Sequence, residues 1–239
     1  MHRNKLVSGL ALAAALVACS SAGKHNGTSS SSGGGTTGPT GTSGGSGFPH
    51  CSGVASTCGA AGDENCCTSN LVPGGTFHRS YDGVSWKDAA FPATVSDFKL
   101  DRFLVTVGRM RSFVTAVENG WQPAAGSGKH EHLNGGGGVN GGTEGGWDPS
   151  WNAGLATDRA GWDQNLLCDS KYQTWTSDAG GNEQRPINCV EWQEAYAFCI
   201  WDGGFLPTEA EINYAAAGGN EQRVYPWSTP PTDETIDCS

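Results

Sequence analysis

Residues 186–228 read PINCVEWQEAYAFCIWDGGFLPTEAEINYAAAGGNEQRVYPWS and constrain the fold more than any other stretch. The spacing predicts a helix from about Glu191 to Asp202, with Trp192, Ala195, Tyr196 and Cys199 on one face at i, i+3, i+4 and i+7. Gly203 and Gly204 end it, because glycine reaches the left-handed conformation that helix C-termini need. Phe205-Leu206-Pro207 then leads into Thr208. Thr208 and Glu211 stand at capping-box spacing, each able to satisfy an orphan backbone N–H in the first turn of a second helix. Ile212, Ala215 and Ala216 give that helix a small apolar face, and Gly218-Gly219 stops it.

Upstream, Phe91–Val105 reads as strands with a turn at Ser96-Asp97. Thr106 caps a further helix with Val107, Met110, Val114 and Val117 on one face and Gly120 at its end. Residues 122–165 form a long loop with Gly135–Gly138, Gly141-Gly142 and Gly145-Gly146 interleaved with tryptophans. No Lys-Ser/Thr follows these glycines to open a helix, so they are not a phosphate cradle. His130-Glu131-His132 offers metal-ligand side chains but no third ligand at a defined spacing, so it reads as a solvated loop with no metal assigned. The 9 tryptophans are read as packing residues that pin loops in a chain rich in glycine.

Composition narrows the function. A net charge of −10 argues against non-specific nucleic-acid binding, since nothing here neutralises a run of phosphates. Residues 1–19 read as an export signal: His2, Arg3 and Lys5, then the apolar run Leu6–Val17, too short to span a bilayer. Leu16-Val17-Ala18-Cys19 resembles a bacterial lipobox. That implies cleavage before Cys19, lipid on its sulfur, and a partner membrane reached through that anchor. Ser20 rather than Asp follows, which favours the outer membrane of the cell envelope. Residues 20–47, almost all Ser, Gly and Thr, read as a flexible tether. Residues 48–70 carry Cys51, Cys58, Cys66 and Cys67 at a density that suits disulfides in an oxidising compartment. With Cys168, Cys189, Cys199 and Cys238 they make an even set whose pairing the sequence does not give.

The block at 186–228 resembles the formylglycine-generating (sulfatase-modifying factor) family, whose signature reads like V-x-W-x-x-A-x-x-[YF]-C-x-W-x-G-x-R-L-P-T-E-A-E-W-x-Y-A-A-x-G-G with Y-P-W-G beyond it. Here it stands as Val190, Trp192, Ala195, Phe198-Cys199, Trp201, Gly203, Leu206-Pro207-Thr208-Glu209-Ala210-Glu211, Tyr214-Ala215-Ala216, Gly218-Gly219 and Tyr225-Pro226-Trp227. Phe205 replaces the usual Arg, Ile212 the usual Trp, and Ser228 the usual Gly. The resemblance implies an α+β, loop-rich, C-type-lectin-like fold over residues 71–239, truncated at its C-terminal side, with Leu71–Phe77 (LVPGGTF) as its opening strand. It implies copper-dependent oxidation of a sulfatase cysteine to formylglycine, with a peptide or protein substrate for the full domain. It also places the Cu(I) thiolate pair, the R-G-G-S-W-like segment and the calcium sites beyond the Tyr-Pro-Trp motif, and it pairs the cysteine matching Cys199 with one near the domain's C-terminus.

No catalytic residue and no cofactor is therefore expected in this chain, which reads as inactive as given. Cys189 and Cys199 cannot replace the thiolate pair, because ten residues of helix leave them about 80° apart in phase. Glu209 and Glu211 fit capping and the favourable potential of a helix N-terminus. Two further readings stand beside the oxidase-type domain: a non-catalytic, lectin-like binding module at the envelope, and a dead fragment with exposed strand edges.

Overall fold

A computed structural model describes residues 19–22, 50, 56–81, 83, 86–223 and 226. The expected signal and most of the tether, with Cys51, Tyr225, Trp227 and Cys238, lie outside the described residues. The architecture is α+β and loop-rich. Strands β1 (Ser20–Ala22), β2 (Ser56–Cys58), β3 (Glu64–Asn65), β4 (Ser69–Val72), β5 (Gly75–His78), β6 (Pro92–Val95) and β7 (Phe98–Asp101) precede the helices α1 (Val107–Glu118), α2 (Arg159–Asn165), α3 (Trp192–Trp201) and α4 (Glu209–Ala216).

The strands pair antiparallel as a three-stranded sheet in the order β1-β7-β4 and two hairpins, β2-β3 and β5-β6. Residues 71–77, expected as one strand, are broken at Pro73-Gly74 into β4 and β5. Proline cannot donate to a ladder, and a Cβ on Gly74 would meet Val95 O at 2.5 Å. The expected turn at Ser96-Asp97 does separate β6 from β7.

Local chemistry explains the helix ends. Thr106 Oγ1 accepts from Arg109 N to cap α1, and Gly120 follows its end at φ 91°. Thr208 and Glu211 form the expected capping box on α4. A second box, Glu191 with Glu194, opens α3. Burial pushes the Glu194 carboxyl up to about 7, against the hydrogen bonds it accepts from Glu191 N and Asn165. Two expected faces are revised. On α3, Trp192 is 53% exposed, while Ala195 through Cys199 and Trp201 are buried, so the helix is enclosed on most sides. On α4, Ile212 is exposed and the buried side chains are Glu211 and Tyr214.

Phe113 of α1 sits at the centre of the main core, within 5.7 Å, centroid to centroid, of the rings of Trp121, Trp162, Phe198 and Trp201. Trp147, Trp162, Trp175 and Trp201 are all buried, in keeping with their reading as packing residues. A smaller core joins Phe77, Val95, Phe98 and Tyr214 beneath the β5-β6 hairpin. Arg111 pins residues 176–183 to α1: its guanidinium donates to the carbonyls of Thr176, Ser177 and Asp178 and to Glu183, and lies 4.5 Å from the Trp175 ring centroid.

Among the described residues, disulfides join Cys19–Cys199, Cys58–Cys66 and Cys168–Cys189, and Cys67 is disulfide-bonded as well. Cys199 pairs with the N-terminal Cys19, across a sequence separation of 180. Cys19, read from sequence as a lipid-attachment site, has its sulfur in this bond, and one sulfur holds either a disulfide or a thioether. The segment is built into the sheet: Ser20 N donates to Phe205 O at 3.0 Å, Phe205 N donates to Ser20 O at 2.8 Å, and β1 pairs with β7 on its other side.

Next to this disulfide lies a buried ion cluster that sequence patterning did not reveal. Arg109 Nη1 donates to Asp101 Oδ2 at 2.9 Å and Nη2 to Asp202 Oδ2 at 2.6 Å, with all three side chains at most 2% exposed. It ties α1, β7 and the C-cap of α3 together. Burial pushes the Asp202 carboxyl up to about 7; Arg109 pulls it down, and the charge of Asp101 pushes it up again. Burial also raises Asp101, against the pull of Arg109. Arg109→Met is expected to cost about 3–5 kcal/mol at pH 8, because it strands two buried carboxylates, and less at pH 5, below the raised Asp202 value. Urea denaturation at the two pH values, followed by tryptophan fluorescence, measures the difference.

Candidate functional site

The glycine-rich loop meets the 186–228 block at a cleft, and two histidines make the junction. Gly126 N donates to Trp147 O and Trp147 N to Ser127 O, both at 2.9 Å, closing residues 126–147 into a loop with adjacent ends. Glycine is required at this closure: Gly146 has φ 70°, and a Cβ there would lie 2.4 Å from Gly126 O. Tyr196 of α3 donates from its hydroxyl to Gly128 O at 3.1 Å. Gly128, at φ 75°, leaves no room for a Cβ, which would meet the Tyr196 ring at 2.6 Å.

His130 and His132 read as solvated from sequence, but His130 is buried and the His132 side chain is only 5% exposed. His130 Nδ1 lies 2.7 Å from Glu144 Oε1, and its Nε2 lies 2.8 Å from Leu206 O. Glu144 Oε2 also accepts from His130 N, at 2.9 Å. His132 Nε2 donates to Glu211 Oε1 at 2.6 Å, while Glu211 Oε2 accepts from Thr208 N and Thr208 Oγ1. Glu211 is thus more than a cap: it is fully buried and links the loop to α4. Burial alone would raise its carboxyl, but the bonds from His132 and Thr208 outweigh burial and hold it below its ordinary 4.5.

Phe205 lies against both imidazoles, with centroids 4.8 Å from His130 and 4.5 Å from His132, the latter stacked. The departure from the family's usual Arg therefore has a local partner: an apolar ring fits against two histidines whose carboxylate partners are already engaged. A cleft of about 260 Å³ opens beside this cluster, lined by Ser21, Lys129, Glu131, His132, Gly203 and Phe205 among others. His132 Nδ1 is buried with no hydrogen-bond partner among the described residues.

Among the described residues, neither histidine belongs to a group of three metal-ligating side chains. Among the described residues, the only group of three such side chains with ligand atoms within 4.8 Å of one another is Cys19, Asp101 and Asp202. There the Arg109 guanidinium supplies the positive charge, and the sulfur is bonded to Cys199. A Cu(I) site needs free thiolates. Each described cysteine, at 19, 58, 66, 67, 168, 189 and 199, is in a disulfide, so the donor set does not fit copper.

The remaining signature residues are distributed as a scaffold. Trp192 packs against Trp151 at a centroid distance of 5.2 Å, and Trp201 closes on Phe113. Leu206 offers its carbonyl to His130, Glu209 opens α4, and Pro226 O accepts from Arg223 at 3.3 Å. Pro207 follows Leu206 just before the Thr208 cap. The sequence signal that could have exposed the histidine latch was the coincidence of two alternate histidines with an apolar residue in place of Arg at 205.

The latch has a pH signature. Glu211, held low in the folded state, contributes stability that is present above 4.5 and lost as pH falls through its folded value. Glu211→Gln is expected to cost about 1–3 kcal/mol at pH 7 and to flatten the acid limb of stability against pH. Urea titrations from pH 7 to 3 test both, and an unchanged acid limb would contradict the assignment.

A family model, the sulfatase-modifying factor enzyme 1-like domain, matches residues 55–237. The inactive C-alpha-formylglycine-generating enzyme 2 of Bos taurus is 32% identical over 172 residues, covering 67% of this chain and 52% of that protein. Its Mus musculus counterpart is 29% identical over 170 residues, covering 65% and 49%. The formylglycine-generating enzyme of Streptomyces coelicolor is 47% identical over 51 residues, 21% of this chain and 16% of that protein. No solved structure matches the chain. The chain spans about half the length of the inactive relatives it matches. With more than half of its residues inside the family model, this chain belongs to the sulfatase-modifying factor family of formylglycine-generating enzymes and their inactive relatives.

Proposed function

We propose that these residues form the scaffold and surface of an exported sulfatase-modifying-factor domain, and do not themselves carry out the family's oxidation of a sulfatase cysteine to formylglycine. The observation that carries this reading is the state of the sulfurs: every described cysteine is in a disulfide, while the signature helices and caps are intact. The printed name of the bovine relative, an inactive formylglycine-generating enzyme, supports it. Export to an oxidising envelope fits the basic and apolar start of the chain and its disulfide density. A lipid anchor at Cys19 requires the form of the chain in which the Cys19–Cys199 bond is not made.

The second reading is a non-catalytic binding module with a lectin-like surface. The cleft beside His132 favours it, since it brings Lys129, Glu131 and Ser21 together at the mouth of a rigidly latched loop. In either reading the protein partner or ligand meets this face, and the net charge of −10 continues to argue against nucleic acid.

Copper titration of the unreduced chain, in competition with a Cu(I) chelator and paired with alkylation under denaturing, non-reducing conditions, tests the proposal. The expected result is no thiol-dependent Cu(I) binding and no label on the seven cysteines in disulfides. Tight Cu(I) binding that is abolished by prior alkylation would overturn it. Mass spectrometry of the same sample reads the mass at Cys19, and a diacylglyceryl thioether there would show that the sulfur serves the membrane instead of Cys199.

A further inference from the structure

We propose that the cavity between the segment after strand β5 and helix α4 is a saccharide site, in which an exposed tryptophan stacks on the apolar face of a neutral pyranose ring. The cavity holds about 440 Å³, within the ordinary range of small-ligand pockets. It is lined by Ser80, Tyr81 and Trp86 from the segment after β5 and by Asn213 and Ala216 of α4, among others. It shares no lining residue with the cleft beside His132, so a ligand here is independent of what that cleft takes.

The lining sets the chemistry of the ligand. Trp86 is 69% exposed, in contrast with the buried tryptophans of the core, and offers a flat apolar face. Ala216 and Pro226 extend the apolar lining. The Ser80 hydroxyl, the Tyr81 hydroxyl and the Asn213 side-chain amide make no hydrogen bond among the described residues. Each of these groups both donates and accepts, as does each hydroxyl of a sugar. Among the described residues, Arg223 is the only charged side chain in the lining. Its Nε donates to Glu221 at 2.7 Å and its Nη1 to Pro226 O at 3.3 Å. That charge is paired, so the lining is not built for an anion. The ligand that fits has one apolar face, a rim of hydroxyls and no net charge, which is the surface of a neutral pyranose.

The two sides of the cavity are tied together before a ligand arrives. Gln222, which also lines it, reaches the end of β5: its Oε1 accepts from His78 N, and its Nε2 donates to His78 O at 3.3 Å. Tyr81 N donates to the same carbonyl at 3.4 Å, and the His78 and Tyr81 rings meet edge to face with centroids 6.2 Å apart. Four non-glycine residues among those described have a left-handed φ, and two of them, Ser80 at 57° and Gln222 at 53°, line this cavity. Residues with a side chain seldom take that backbone. It persists where surrounding contacts hold it, and such residues gather at ligand clamps. Because the clamp already joins both sides, a ligand has little of the chain left to order on binding.

Saturation-transfer NMR on the full chain tests this, with cellobiose, maltose, lactose and N,N′-diacetylchitobiose as probes and sorbitol and phenol as comparisons. At least one of the disaccharides is expected to bind, with transfer strongest at its ring C–H protons, and to shift the Trp86 indole Nε1–H, a resonance assigned by its loss in Trp86→Phe. Trp86→Ala is expected to raise Kd about tenfold. Asn213→Ala is expected to raise it about fivefold, the effect of one lost hydrogen bond. Trp86→Phe keeps a ring face and should retain most of the affinity. Sorbitol carries the hydroxyls without the ring face and should not bind. Tyr172→Ala, which removes an exposed aromatic ring outside the cavity, should leave binding unchanged. Binding of none of the disaccharides, whether or not phenol binds, would overturn the proposal, as would equal binding of sorbitol or disaccharide binding that survives Trp86→Ala. Trp86 and Asn213 are both exposed, and the amide spectrum of each variant checks its fold. Should an alanine variant fail to fold, the shift of the Trp86 indole in the wild-type chain decides.

Discussion

The fold hangs on one buried guanidinium. Arg109 projects from the first turn of α1 and meets the last residue of β7 and the C-cap of α3. Its donors also reach Cys66 O at 3.4 Å, and Phe198 lies beneath its plane. Buried ion pairs are costly to assemble, and their return lies in fixing one arrangement of the elements they join. Here the arrangement they fix is the junction of the sheet with both central helices. Burial raises both carboxyls, which makes that junction sensitive to protons beside the Cys19–Cys199 bond.

The long glycine-rich segment is ordered through side chains that terminate on the signature block at 186–228. Its backbone makes few regular bonds, so tryptophan burial, the Tyr196 hydroxyl and the two histidines supply the fixed points. Glu211 is shared between its helix cap and His132, which couples the N-terminus of α4 to the loop. Phe205 completes the contact as an apolar plate between loop and block. The three departures of this chain from the family pattern are thus not equal. Phe205 is part of a local rearrangement, Ile212 is an exposed residue on α4, and Ser228 lies outside the described residues.

Membership of the family and possession of its chemistry are separate statements. The signature residues described here serve caps, turns and aromatic packing, none of which requires a metal or a nucleophile. Such positions hold a fold together whether or not catalysis accompanies it. That is the physical reason why a chain can match the family model over most of its length while each of its described cysteines is already in a disulfide.

What the sequence determined by itself was local. Helix boundaries at Thr106, Glu191–Asp202 and Thr208, the turn at Ser96-Asp97 and the Thr208–Glu211 box depend on backbone groups within three or four residues, so a linear reading captures them. The packing role of the tryptophans was legible for the same reason, since bulk and apolarity need no particular partner. Tertiary structure decided everything that rests on distant partners. Arg109 looks like any polar helix residue until two aspartates from other elements surround it. His130 and His132 look solvated until Glu144, Glu211 and Phe205 close on them. Cys19 carries a lipid-attachment pattern in its neighbours, yet its sulfur lies against Cys199 across a separation of 180 residues. Short-range hydrogen bonds are written in adjacent residues; the pairing of buried charges and sulfurs is set by which surfaces the folded chain brings together.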